Sequence, residues 1–279
     1  MYRYQHKLYE KEAIYIAGPE CFYTYGYDAL GAMKVRANAL GFGVTLPNTH
    51  PLDLENPDKQ KRADSIFDDL DKVMREQQIP LFALESQDPI KDFDFLGITI
   101  QFEMCYTNIL QILDLSQIPL HAKDRTLDDP FVIGGGPCTY NPEPIAEFFD
   151  LFYIGEGETA YDELLDAYKE WKGSGKSRRE FLERAAQIEG LYVPLFYDAE
   201  YNEDGTLKSF TPNNEYAPAT VKKQIVMDVT NASYPKTPVV PFIKCTQDRV
   251  VLEIQRGCIR GCRFCQAGMI YRPTRERNV

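Results

Sequence analysis

FLGITI (95–100), FVIGGGP (131–137) and LFYIGEGE (151–158) decide the fold. Each carries a short apolar run rich in β-branched and aromatic residues, and the last two run into glycine, the pattern of buried strands that stop at a turn. Helical stretches over 105–115 and 142–149 separate them. Strands alternating with helices predict a mostly parallel sheet covered by helices, so the fold class is α/β.

Working outward, PLFAL (80–84) reads as another strand, and 59–78 as a polar amphipathic helix with Ile66, Phe67, Leu70, Val73 and Met74 on one side. AIYIA (13–17) is a short apolar run broken by Gly18 and Pro19. A helix over 27–40, a strand at VTLP (44–47) and a turn-rich loop over 48–58 follow. Downstream, 159–171 and 178–187 read as helices joined by GSGKS (173–177). Asp204-Gly205 between AEYN and TLKSF is a hairpin signal. YPKTPVVPF (234–242) is an extended connector, and RVVLEIQ (249–255) supplies one strand that runs into a cysteine-rich loop. Boundaries are expected near 172–178 and 235–247, which divides the chain into 1–172, 173–247 and 248–279.

At 279 residues and 44% hydrophobic, the chain can bury one large core or two ordinary ones. It has no run of 18 apolar residues and its N-terminus lacks the features of a secretory signal, so a cytoplasmic protein with no membrane contact is expected. A net charge of -11 argues against binding nucleic acid through phosphate neutralisation. One basic patch stands out, because Arg256, Arg260, Arg263, Arg272, Arg275 and Arg277 all lie near the cysteine loop.

In open parallel sheets, ligands bind at the carboxyl ends of the strands, where Gly134, Gly135, Gly136, Gly155 and Gly157 sit. These five are candidate cofactor-binding positions, although glycine turns also serve simply to connect strand to helix. Glu143, Glu156 and Glu158 read as solvated or helix N-terminal carboxylates, Glu158 next to the 159–171 helix.

Seven cysteines are spread as Cys21, Cys105, Cys138 and Cys245 plus the close trio Cys258, Cys262 and Cys265, which is not a secreted disulfide framework. Cys21, Cys105 and Cys138 read as buried small apolar residues. The trio, in CIRGCRFC, has spacers of three and two residues, so one loop can wrap three corners of an iron-sulfur cluster and leave one iron open. Gly257 and Gly261 relieve crowding in such a loop, and the nearby arginines can offset the cluster's negative charge. A structural zinc site would need a fourth ligand, for which Cys245 is the nearest candidate, and Cys262 with Cys265 could instead be a redox pair.

The cysteine spacing, with Phe264 just before the last cysteine, resembles the signature of radical S-adenosylmethionine (SAM) enzymes. IPLFALES, GGGPCTYNPEP, FYIGEGE and RGCIRGCRFCQAG extend the likeness over residues from about 71 to 279, to a radical SAM group with an N-terminal cobalamin-binding-like domain. The resemblance implies a Rossmann-like (flavodoxin-like) sheet followed by the first strand and cluster loop of an incomplete partial TIM barrel. Cys258, Cys262 and Cys265 would hold a 4Fe-4S cluster. Its open iron would bind SAM beside Phe264, and reduction by a donor such as flavodoxin or ferredoxin would give methionine and a 5'-deoxyadenosyl radical. No catalytic residue or substrate is legible. Only 14 residues follow Cys265, so the chain is expected to be an N-terminal fragment with little turnover by itself.

Cobalamin is disfavoured, because the Asp-x-His-x-x-Gly pattern of cobalt ligation by histidine is absent. Residues 12–70, with IYIAGPECF and GFGVTLPNTHPLDLENPDKQKRADSIFDDL, resemble instead the start of nucleoside 2-deoxyribosyltransferases. That family's nucleophilic glutamate would fall beyond the point where the likeness ends, so Asp28, Asp53 and Asp64 read as surface, loop or capping residues. A noncatalytic metal-binding or nucleotide-binding module is the remaining alternative.

Overall fold

The computed structural model describes residues 71–83, 86, 88–232 and 252–278, and the backbone of 14–17. The 27–40 helix, the 44–47 strand, Cys21, Asp28, Asp53, Asp64, the 234–242 connector and Cys245 lie outside them.

A five-stranded sheet in the order β1-β2-β3-β4-β5 forms the centre, from β1 (Ile14–Ala17), β2 (Phe95–Thr99), β3 (Phe131–Gly135), β4 (Leu151–Tyr153) and β5 (Leu191–Tyr192). The first four are parallel, with Phe95 opposite Phe131 and Ile133 opposite Leu151; β5 closes the edge antiparallel, Phe152 opposite Tyr192. Ile14 aligns with Phe95, so Ile14–Ala17 shares one sheet with the rest.

Three central strands are apolar throughout because both sheet faces are covered, and the period of two sorts their side chains between the faces. Leu96, Ile98, Val132 and Phe152 pack against Ile109, Ile112 and Leu113 of helix α1 (Tyr106–Leu115). On the opposite face, Phe95, Phe131, Ile133, Leu151 and Tyr153 meet helices α2 (Tyr161–Trp171) and α3 (Arg178–Ala185) through Leu164, Tyr168, Phe181 and Leu182. Ser177 starts α3 with a capping box: its side chain accepts from the Glu180 amide while the Glu180 carboxylate accepts from the Ser177 amide.

A buried ion cluster ties these layers together. Asp150 accepts from Arg125 Nη1 at 2.7 Å, from the Val132 amide at 2.8 Å and from Arg178 Nη2 at 2.9 Å. The Arg178 guanidinium also lies 3.9 Å from the Phe131 ring centroid, which fixes the start of α3 over β3.

Local chemistry departs from the sequence reading at the prolines. PLFAL is not a sheet strand: the described part makes one isolated bridge, Phe82 with Pro89. Pro80 and Pro89 lack amide donors, and the Leu81 amide donates to the Leu115 carbonyl at the end of α1 instead. Over 142–149 the chain forms a 3-10 helix, Glu143–Phe148, rather than an α-helix, because Pro142 and Pro144 withhold two amides.

The hairpin at Asp204-Gly205 forms as expected from β6 (Tyr197–Tyr201) and β7 (Leu207–Pro212). Among the described residues of the 249–255 run, only Gln255 is in a strand. It belongs to β8 (Gln255–Arg256), which pairs antiparallel with β9 (Arg275–Glu276). No helix among the described residues is long and apolar enough to cross a membrane.

Candidate cluster site

The β8–β9 ladder is the base from which the cysteine loop projects. Gly257 leaves β8 at φ +83, with the Pro273 and Tyr271 carbonyl oxygens 2.5 Å from where a Cβ would be, so no other residue fits there. The chain passes Cys258 and Cys262 to Cys265, makes a single turn α4 (Ala267–Ile270), and returns through β9.

All three thiols are free, Cys262 is exposed, and Cys258 and Cys265 are half-buried. Cys258 Sγ accepts from the Arg260 amide and Cys265 Sγ from the Gly268 amide, each at 3.4 Å. Cys258 and Cys265 line a cavity of about 500 Å³ together with Gly257, Gly268, Tyr271 and Glu156. Phe264 is 90% exposed on the same loop. Among the described residues, no group of three His, Cys, Asp or Glu is gathered at one metal-binding point, so the three thiols do not converge.

The arginines have a different employment from the one the sequence suggested. Arg256, at the entry foot of the loop, donates to Glu253 Oε1 at 2.7 Å and to Glu158 Oε1 at 2.6 Å. Arg275, at the exit foot, is buried and donates to Glu156 Oε2 at 2.7 Å and to the Val226 carbonyl at 2.8 Å. Glu156 Oε2 also accepts from the Val226 amide at 2.6 Å and lies 3.3 Å from Arg256 Nη1. Arg277 reaches Glu253 at 3.3 Å, and Arg272 donates to the Arg260 carbonyl at 2.9 Å. Arg260 and Arg263 stand exposed on the loop itself.

Glu156 and Glu158 are thus neither solvated nor helix-capping groups but the sheet's grip on the cysteine segment. Burial pushes the Glu156 pKa up, but Arg275, the Val226 amide and Arg256 outweigh it and hold the carboxyl below the ordinary value. Arg256 keeps Glu253 low in the same way.

Of the glycines singled out in the sequence, Gly134 lies under the Phe152 ring, Gly135 has open space where a Cβ would stand, and Gly157 faces the Tyr161 ring. Gly136, at φ +93, lets the backbone touch that of Ile100. Gly155, at φ +115, touches the backbone of Gln224, whose amide donates to Ile154 and whose carbonyl accepts from Glu156. Gly136 and Gly155 also line a second cavity, about 180 Å³, with Gln101, Tyr140, Lys223 and Tyr271.

Lys223 and Gln224 carried no motif, and Tyr140 entered only as a member of GGGPCTYNPEP, yet the three complete the support. Lys223 Nζ donates to the carbonyls of Ile270 at 2.9 Å and Arg272 at 2.6 Å, and Tyr140 Oη donates to Ile270 at 3.1 Å. Cys105 and Cys138 are buried as expected, and burial pushes the Cys138 thiol up.

Residues 58–194 match the family model of radical SAM proteins, N-terminal. This stretch is similar to the N-terminal region of radical SAM proteins. The match starts ahead of the change of resemblance read near residue 70, and it ends before the cysteine loop. An uncharacterized protein of Methanocaldococcus jannaschii is 32% identical over 208 residues, covering 74% of this chain and 37% of that protein. The matched part of the chain therefore spans little more than a third of the relative's length. No solved structure matches the chain. The matched stretch contains β2, β3, β4 and the carboxylates Glu156 and Glu158, and so includes part of the surface on which the cysteine loop rests; Lys223, Gln224 and Val226 lie beyond it.

Proposed function

We propose that this chain is the N-terminal portion of a radical SAM enzyme, with Cys258, Cys262 and Cys265 as the ligands of a 4Fe-4S cluster. The observation that carries the reading is the cavity of about 500 Å³ bordered by two of the three spaced cysteines, on a platform that includes the stretch similar to the N-terminal region of radical SAM proteins. The donor set is of the kind the group takes, three thiols on one loop, although they are not gathered at one point in this structure. The thiols are unbridged, amides already point at two sulfurs, and Gly268 puts no side chain beside Cys265 Sγ.

Bound there and reduced by a donor such as flavodoxin or ferredoxin, the cluster would supply one-electron chemistry for the cleavage of SAM to methionine and a 5'-deoxyadenosyl radical. The protein's own part is positional. Arg256 and Arg275 fix the feet of the loop, Lys223 and Tyr140 hold its returning turn, and the exposed Phe264 is available to pack beside SAM. The Rossmann-like sheet is the platform and the β8 end is the start of a partial barrel.

Cobalamin is not included in the proposal. Residues 223–226 and 270–272 cover the strand ends, and the cavity of about 180 Å³ is below the roughly 300–1,000 Å³ of ordinary ligand pockets.

Anaerobic reconstitution tests the reading through iron and sulfide analysis, visible absorbance and electron paramagnetic resonance of the reduced protein. Four irons and four sulfides per chain are expected, reduced severely by Cys258→Ala, Cys262→Ala or Cys265→Ala and retained in Cys245→Ala. Zinc, or no metal at all, in protein prepared without oxygen overturns it.

A further inference from the structure

Glu156 and Tyr271 line both cavities, and Glu156 is held there by groups from three separate parts of the chain. Its Oε2 takes the Val226 amide from the segment that crosses the strand ends, Arg275 from β9 and, at a longer distance, Arg256 from β8. The carboxylate comes from the turn directly after β4, so its position is set by the sheet. The backbone around it is also fixed: Gly155 bridges to Gln224, and the Glu156 amide donates to the Gln224 carbonyl at 3.0 Å. A rigid backbone thus presents a charge to both feet of a loop whose cysteines border the same cavity.

We propose that Glu156 is a positioning residue that sets the geometry and local charge of the cysteine loop, and that the N-terminal sheet governs the iron site through it. The role deepens the reading of the loop as a cluster site and rests on it for its second consequence. The first concerns the protein without metal. Neutralising Glu156 takes the negative charge from Arg275 and Arg256 together and leaves at most one neutral acceptor, so both loop feet loosen while the sheet, held by its own buried clusters, does not. The second concerns the loaded protein. Glu156→Gln removes a negative charge from the cavity wall and leaves two guanidiniums less compensated, a change that favours the reduced, more negative form of a thiolate-held cluster.

Hydrogen exchange on metal-free protein reads the first consequence. In Glu156→Gln, the amides of Ile270, Tyr271 and Arg277 should exchange about ten-fold faster, the order expected for losing a charge-assisted hydrogen bond, while those of β2 and β3 are unchanged. Redox titration of the reconstituted protein reads the second, with a more positive midpoint expected in Glu156→Gln and a return toward the parent value in Glu156→Asp. Unchanged exchange at the three amides, exchange that rises equally in β2 and β3, or a midpoint identical in Glu156→Gln and the parent overturns the proposal. If the parent chain takes up no iron, the cluster reading fails on its own while the exchange experiment still decides whether Glu156 holds the loop.

Discussion

Arg256 and Glu158 are 98 residues apart in sequence and 2.6 Å apart between Nη2 and Oε1, with side chains 14% and 27% exposed. The contact joins the turn after β4 to the entry of the cysteine loop. A double-mutant cycle with Glu158→Ala and Arg256→Ala, measured by urea unfolding, should return a coupling of about 1 kcal/mol, at the upper end for a partly exposed pair. Arg256→Ala alone should cost more than Glu158→Ala, because Arg256 also serves Glu253 and Glu156.

Asp150 is a harsher test of the platform. Its carboxylate is the partner of Arg125, whose side chain has no exposed surface, and of Arg178. Asp150→Ala leaves a buried guanidinium uncompensated and should lower unfolding stability by about 3–5 kcal/mol. The triple variant Arg125→Met/Asp150→Leu/Arg178→Met should recover part of that loss in the same urea experiment, because it removes all three charges of the cluster.

Adjacent glycines should respond differently to one methyl group. At Gly134 a Cβ would come within 2.4 Å of the Phe152 ring, inside the core, so Gly134→Ala should destabilise by about 1–3 kcal/mol. At Gly135 a Cβ meets nothing within 4 Å, and Gly135→Ala should stay within about 0.5 kcal/mol of the parent by thermal or urea unfolding.

Acid should release the loop before it unfolds the sheet. Glu156 and Glu253 both have folded pKa values below their ordinary 4.5. Their stabilising contribution is therefore complete above that value and is lost as pH falls through the lower folded values. The stability deficit of Glu156→Gln relative to the parent should be largest near neutral pH and shrink as pH falls below 4.5. Urea midpoints of the two proteins at a series of pH values check this.

The sheet was legible because FLGIT, FVI and LFY are buried on both faces and so advertise themselves as unbroken apolar runs. PLFAL has the same composition, but two prolines changed where its amides could bond, a constraint that hydrophobic pattern does not encode. The cysteine trio was legible from spacing. The roles of Glu156 and Glu158 were not, because their partners lie 119 and 98 residues further along the chain and no local pattern announces them. Lys223 and Gln224 were hidden for the same reason: they act through backbone carbonyls and a backbone bridge, which leave little mark on side-chain sequence.

The carboxylates of the turn after β4 precede the arginines they bind by about a hundred residues. A chain emerging from the ribosome from its N-terminus exposes that turn well before the first cysteine of the loop is made, and domains generally consolidate in that order. The cysteine loop then closes onto a surface already formed, with the large entropy of a long closure lowered by the sheet that has folded in between. Synthesis order and architecture thereby agree: the cysteine loop is made after the carboxylates that receive it.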